Sequence, residues 1–161
     1  MDIRPLVEAD RGWVDRLIVE RWGDALMAGR GRVWRPAELP GFAAFDGDEC
    51  VGLVTYELDD EACEIVTIDA LREGVGIGTT LLEAVVGAAR AGGCARIRLL
   101  TTNNNVRALA FYQKRGFRLV ALRPNAIEEE RKLKPSIPPF DANGLPIRDE
   151  LDLELSLEPS G

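Results

Sequence analysis

Three glycines at alternate positions, Gly74, Gly76 and Gly78, stand between an apolar strand-like run and an amphipathic helical pattern. No other feature of the chain restricts its local backbone as much. A residue without Cβ adopts left-handed dihedrals freely and lets a ligand approach the main chain. At a helix N-terminus the first N–H groups lack intrahelical partners, and the positive end of the dipole favours an anion. One glycine would satisfy a tight strand-to-helix turn; three favour a phosphate cradle. The Walker pattern GxxxxGK[ST] is absent, since no lysine lies in the loop, and the dinucleotide fingerprint GxGxxG fails in both registers, ending on Thr79 or Leu81.

Around that loop the chain reads as alternating strands and helices. Residues 2–7 form a first strand, and a helix is expected from about Ala9 to Ala28, with Gly29 and Gly31 ending it. Phe42–Phe45 and Cys50–Leu58 flank Asp46-Gly47-Asp48, which is hairpin-turn chemistry. Ala62–Ala70 is apolar on both faces, as a central strand should be. Helices follow over Thr79–Ala91 and Val106–Arg115, with strands at Arg96–Thr101 and Phe117–Leu122. The polar, proline-rich stretch after residue 122 holds one helical segment, Ala126–Leu133, and Glu150–Leu157 alternates strictly, predicting a half-exposed antiparallel strand. The expected fold is a single α/β (α+β) domain over residues 1–161. It has a mixed, mostly antiparallel sheet of about six to seven strands with helices on both faces. The alternation of the last strand would suit pairing with a second copy in a homodimer.

Composition removes whole classes of chemistry. There is no histidine among the 161 residues, so Ser-His-Asp, Cys-His and histidine-based zinc sites are excluded. No metal site is expected. A net charge of −7 without a basic block argues against nucleic acid, and no run approaches the ~20 apolar residues of a membrane helix. Cys50, Cys63 and Cys94 are odd in number and widely spaced, and the first residues carry no signal-peptide core. The expectation is a cytoplasmic protein with reduced thiols.

Two motifs give the loop a family. Glu73-Gly74-Val75-Gly76-Ile77-Gly78 resembles the [Q/R]xxGx[G/A] signature of the GNAT N-acetyltransferases, with Glu73 where that family favours Gln or Arg. About thirty residues on, Asn105-Val106-Arg107-Ala108-Leu109-Ala110-Phe111-Tyr112-Gln113-Lys114-Arg115-Gly116-Phe117 matches NxxAxxFYxxxGF. The resemblance spans about residues 2–122 and extends to the terminal strand, leaving 123–149 as an insert-like segment.

The resemblance implies acetyl-CoA as cofactor and direct attack of an amine on its thioester, without a covalent enzyme intermediate. Main-chain N–H groups over Val75, Gly76, Ile77, Gly78 and Thr79 would hold the pyrophosphate. An amide near Ile68 or Asp69 would polarise the acetyl oxygen, on a strand splayed from its neighbour. Tyr112 stands at the position of the family's general acid. Asn105 would contact the pantetheine or cap its helix. For the base, Glu64 on the strand Ala62–Ala70 is expected to share a face with Val66 and Ile68, where apolar neighbours would raise its pKa. Asp69 is the rival, and a salt-bridged Glu64 is the alternative. Trp22, Asp24 and Arg30, with Arg32 and Trp34, fall in the family's variable acceptor wall, Asp24 suited to an ammonium and the arginines to a carboxylate. A small-molecule amine is the expected acceptor. A protein N-terminus or lysine, and a non-catalytic acyl-CoA-binding domain, are the other readings.

Overall fold

A seven-stranded sheet, in the order β1-β4-β5-β6-β7-β9-β8, carries helices on both faces. The structure is a computed structural model that describes residues 1–157. In chain order the elements are β1 (Asp2–Pro5), α1 (Arg11–Trp22), β2 (Met27–Gly29), β3 (Arg32–Trp34), β4 (Gly41–Asp46), β5 (Glu49–Leu58), β6 (Ala62–Ala70), α2 (Ile77–Ala91), β7 (Arg96–Thr102), α3 (Val106–Lys114), β8 (Arg118–Arg123), α4 (Ala126–Leu133) and β9 (Glu150–Ser156). All sheet pairs are antiparallel except β6–β7.

Two cores hold the layers together. On one face Val14 and Ile18 of α1 pack with Ala37 and Leu53. On the other, Ile77, Leu81, Leu82, Val85 and Ala89 of α2 pack against Val54, Ile65, Ile97 and Leu153 of the sheet, with Tyr112 of α3. Leu81, Leu82 and Val85 recur at helical spacing, so one stripe of α2 is buried.

Two expectations are corrected. The first helix stops at Trp22: Gly23 takes a left-handed φ of 81° and its N–H bonds the Val19 carbonyl, a C-terminal cap. Met27–Trp34 is instead a hairpin, β2–β3, turning through Arg30 and Gly31, both at positive φ (49° and 74°). The glycines that read as a helix stop are hairpin residues. A Cβ at Gly29 would press on the end of the Leu100 side chain, which would have to shift to admit it.

The second correction concerns β9. It is antiparallel as expected, but it lies between β7 and β8 and is paired on both sides, so it has no edge to offer a partner's sheet. The edge strand on this side is β8, with Leu119, Val120 and Leu122 exposed. Apolar periodicity identifies a strand but not its neighbours. The helix over Ala126–Leu133 is present as α4.

Candidate active site

The parallel pairing of β6 with β7 runs only from Ala62↔Arg96 to Ile65↔Leu99, although β6 continues to Ala70 and β7 to Thr102. Beyond Ile65 the two strands part. The cause lies on the other side of β6. Tyr56 pairs with Ile65 but Thr55 pairs with Thr67, so Val66 is an extra residue, a β-bulge that bends the strand. The bulge also changes which side chains share a face. Glu64 does not line up with Val66 and Ile68 as strict alternation predicts. Thr67 bonds Thr55 at 2.6 Å and Asp69 meets Trp22 on the α1 face, while Ile68 packs into the α2 core.

The split strands open onto a cavity of about 500 Å³. Val66, Thr67 and Ile68 line one side of the split, Leu100, Thr101 and Thr102 the other, and Tyr112, Ala108 and Asn105 of the α3 region its floor. Trp22, Met27, Ala28 and Trp34 wall it from α1 and the hairpin. The remaining side is lined by Ile127 and Glu130 of α4, and by Lys134, Ser136, Ile137, Pro138 and Ile147 of the chain after it.

The glycine loop lies just beyond β6. Gly74 and Gly76 hold left-handed φ values of 76° and 75°, and added Cβ atoms there would meet nothing within 4 Å. The first backbone bond of α2 runs from Thr80 N–H to the Gly76 carbonyl, at 3.0 Å. The N–H groups of Ile77, Gly78 and Thr79 therefore project from the helix end, free for an anion. Ile77 anchors the end by burying its own side chain, whereas the Val75 side chain is exposed; each offers only main chain to the loop. Gly78 abuts Phe111, where a Cβ would sit 3.1 Å from the ring. Arg115 lies 3.6 Å above the Phe111 ring and donates to Thr79 Oγ1 at 2.9 and 2.7 Å. A fixed cation is thus tied to the helix end, a role that the sequence pattern alone does not distinguish from ordinary helix-surface charge.

Tyr112 is 7% exposed, with its ring against Phe111 and Phe117, and it lines the cavity. Burial, with the charge of Asp69 behind it, pushes its phenol well above the usual value, so it keeps its proton. Asn105 also lines the cavity. Its side chain does not cap α3 but donates from Nδ2 to Thr101 Oγ1 at 3.2 Å.

The two carboxylates considered for the base lie in different surroundings. Glu64 is 3% exposed and lines the cavity, yet Arg30 contacts it directly and Arg98 Nε lies 3.5 Å away. It is a salt-bridged carboxylate. Asp69 accepts Trp22 Nε1–H at 3.0 Å, with Arg21 at 3.6 Å, and burial still raises its pKa above the ordinary 3.8. Of the acceptor-wall residues, Trp22 and Trp34 reach the cavity, and Arg32 pairs with Glu57. Arg30 is consumed by Glu64 and Asp152, and the Asp24 carboxylate accepts the Leu26 N–H of its own turn. Glu130, Glu150 and Lys134 on the cavity wall were not singled out by the sequence pattern. The alternation of Glu150-Leu151-Asp152-Leu153-Glu154 does place three acids on one face, and this was the available signal. Burial raises the Cys63 thiol to about 12, so it stays protonated, and no described residues form a metal-binding group of His, Cys, Asp or Glu. Among the described residues no helix is long and apolar enough to cross a membrane.

The model of the acetyltransferase (GNAT) family matches residues 10–117. The uncharacterized protein YdhI of Bacillus subtilis (strain 168) is 44% identical over 152 residues, which is 94% of this chain and 95% of YdhI. Two solved structures share the fold. The IAA acetyltransferase from Bacillus cereus ATCC 14579 aligns with a TM-score of 0.73 at 22% identity, covering 96% of this chain and 98% of that one. A Bacillus subtilis acetyltransferase in complex with CoA aligns with a TM-score of 0.70 at 23% identity, covering 97% and 98%.

Proposed function

The chain belongs to the GNAT acetyltransferase family and is an acyl-CoA-dependent N-acetyltransferase, and from that premise we propose that it acetylates a primary amine of a small molecule by direct attack. The observation that carries this reading is the opening between β6 and β7, with the glycine loop at its end and a walled cavity at its side. The residues present fit acetyl-CoA. Three N–H groups at the start of α2 project outward, the φ-positive glycines leave the loop surface bare, and Arg115 adds a fixed cation. When bound, acetyl-CoA supplies the acetyl thioester.

The chain's own groups do the rest. Val75–Thr79 main chain would hold the pyrophosphate, and the unpaired edge of β6 over Val66–Asp69 would offer N–H groups to the acyl carbonyl. Tyr112, held protonated by burial, would give its proton to the departing thiolate. Asn105 sits where a cofactor arm passing between the strands would meet it.

For the base we favour Asp69 over Glu64. Glu64 is tied to Arg30 and Arg98, whereas Asp69 is displaced upward toward a useful value and its charge is felt at Tyr112. Glu64 then serves to anchor Arg30 and the hairpin wall. The cover supplied by α4 and residues 134–149 supports a small acceptor over a protein segment lying in an open groove.

The test is thiol release from acetyl-CoA across a panel of primary amines and short peptides, beside calorimetry of acetyl-CoA itself. Amine-dependent release with small amines is expected. Tight acetyl-CoA binding with no release on any acceptor would favour the non-catalytic alternative, and release only with peptides would favour a protein acceptor.

A further inference from the structure

On the cavity face of the sheet, carboxylates outnumber the cations that reach them. Arg30 spans Glu64 and Asp152, and Arg98 is the second partner of Glu64. Arg123 is committed mainly to Asp152, at 2.7 and 2.9 Å, and touches Glu150 Oε1 through Nε alone at 3.2 Å. Glu130 receives one backbone N–H, from Gly31 to Oε1 at 3.1 Å. These two glutamates are 2% and 1% exposed, both line the cavity, and the Oε2 atom of each is buried without a hydrogen-bond partner among the described residues.

Such a pair is unfavourable on its own. A buried acceptor without a donor is destabilising, and like charges side by side add to it. Burial, the neighbouring Glu150 charge and the hydrogen bond that a protonated Glu130 would share with Glu150 hold the Glu130 carboxyl above its usual range. Arg123 is the cation in contact with the pair, through Glu150 Oε1 alone; Lys134, the residue after α4, rests with its Nζ 3.9 Å from Met27 Sδ and makes no ion pair with a described carboxylate. The wall between this pair and the opened strands is apolar: Met27, Ala28, Trp34 and Ile127 suit a methylene chain.

We propose that Glu130 and Glu150 form a cation subsite for a second ammonium of the acceptor, so that the preferred substrate is an alkyl diamine or polyamine. One amine would stand at the opened strands while the other places its charge between the two unpartnered oxygens. This inference rests on the acetyl-transfer reading above and deepens it.

The experiment compares a series of α,ω-diamines with the matching alkyl monoamines, reading kcat/KM by thiol release and, separately, equilibrium binding of the same diamines by calorimetry. The wild-type chain is expected to favour a diamine of suitable length by about ten- to a hundredfold, the factor that one charge-assisted pairing supplies. Glu130→Gln and Glu150→Gln, nearly isosteric and able to keep the Gly31 and Arg123 contacts in part, should each bring that ratio toward one. Glu128→Gln, exposed on the same helix, should leave it unchanged. Vigorous monoamine turnover with no diamine preference would overturn the subsite and leave acetyl transfer standing. Diamine binding that is lost in Glu130→Gln, without turnover of any amine, would support the subsite and overturn the transfer reading. Variants that gain thermal stability yet keep the wild-type ratio would show a carboxyl pair that satisfies itself by sharing a proton, and would overturn the proposal.

Discussion

Gly76→Asp places a carboxylate on the helix end that is proposed to hold a pyrophosphate, and the structure indicates that the fold will tolerate it. The added Cβ meets nothing within 4 Å, so no neighbour has to shift. Against this stands the left-handed φ of 75°, worth about 1 kcal/mol for a residue with a Cβ, although Asp visits that region more readily than most. Stability should therefore change little. Binding should not. Two like charges about 4 Å apart near a protein surface repel by roughly 4 kcal/mol, which is about a thousandfold in affinity. Gly76→Ala carries the same backbone strain without the charge and serves as the control. Calorimetry of acetyl-CoA against the three proteins, at low salt and at high salt where the repulsion is screened, reads the effect. A folded Gly76→Asp protein that binds acetyl-CoA as tightly as wild type would refute the assignment of the loop.

Tyr112→Phe removes a hydroxyl that makes no hydrogen bond to a described residue, so folding and acetyl-CoA affinity should persist while kcat falls ~10²-fold. Full kcat with chemistry rate-limiting would make Tyr112 a packing residue. Asp69→Asn should abolish the acid limb of the kcat/KM profile, whose midpoint is expected above the ordinary aspartate value, whereas Glu64→Gln should weaken the hairpin wall and keep the limb; the reverse pattern would return the base role to Glu64. Because burial raises the Asp69 pKa, its folded form holds the proton more tightly than the unfolded chain. Its contribution to stability falls as pH rises through that window, so Asp69→Asn should gain in unfolding midpoint over wild type toward neutral pH. Asp10 is the opposite case. Arg4, the Val7 N–H and Trp13 Nε1 hold it well below the usual range, so its stabilisation is present above the ordinary carboxylate range and lost in strong acid. Asp10→Ala should cost about 2–3 kcal/mol in urea unfolding at neutral pH and little in acid.

The sequence signals that proved sufficient were local ones. The stripe of Leu81, Leu82 and Val85 and the glycines before it fix α2 and its loop whatever surrounds them, and α4 is bounded by Asn125 and Pro135. What could not be read depends on partners distant in sequence. Val66 becomes a bulge only because β5 advances one residue less than β6, and that shift moves Ile68 away from the face of Glu64. Gly29-Arg30-Gly31 serves a helix end or a hairpin turn equally well until Leu100 closes on Gly29. Arg30 had the chemistry for a substrate carboxylate and is instead fixed by Glu64 and Asp152, residues of strands β6 and β9. Of three successive glutamates on α4, only Glu130 turns inward.

Amide hydrogen exchange with and without acetyl-CoA tests the central claim most directly. The N–H groups of Ile77, Gly78 and Thr79 have no bond within α2, and β6 beyond Ile65 has no pairing to β7, so these amides are positioned to gain protection from a ligand. The account predicts that saturating acetyl-CoA slows exchange at residues 75–79 and 66–69, leaving β1 and β8 unchanged. Bound acetyl-CoA that leaves both segments exchanging as before, or protects a different surface, would contradict it.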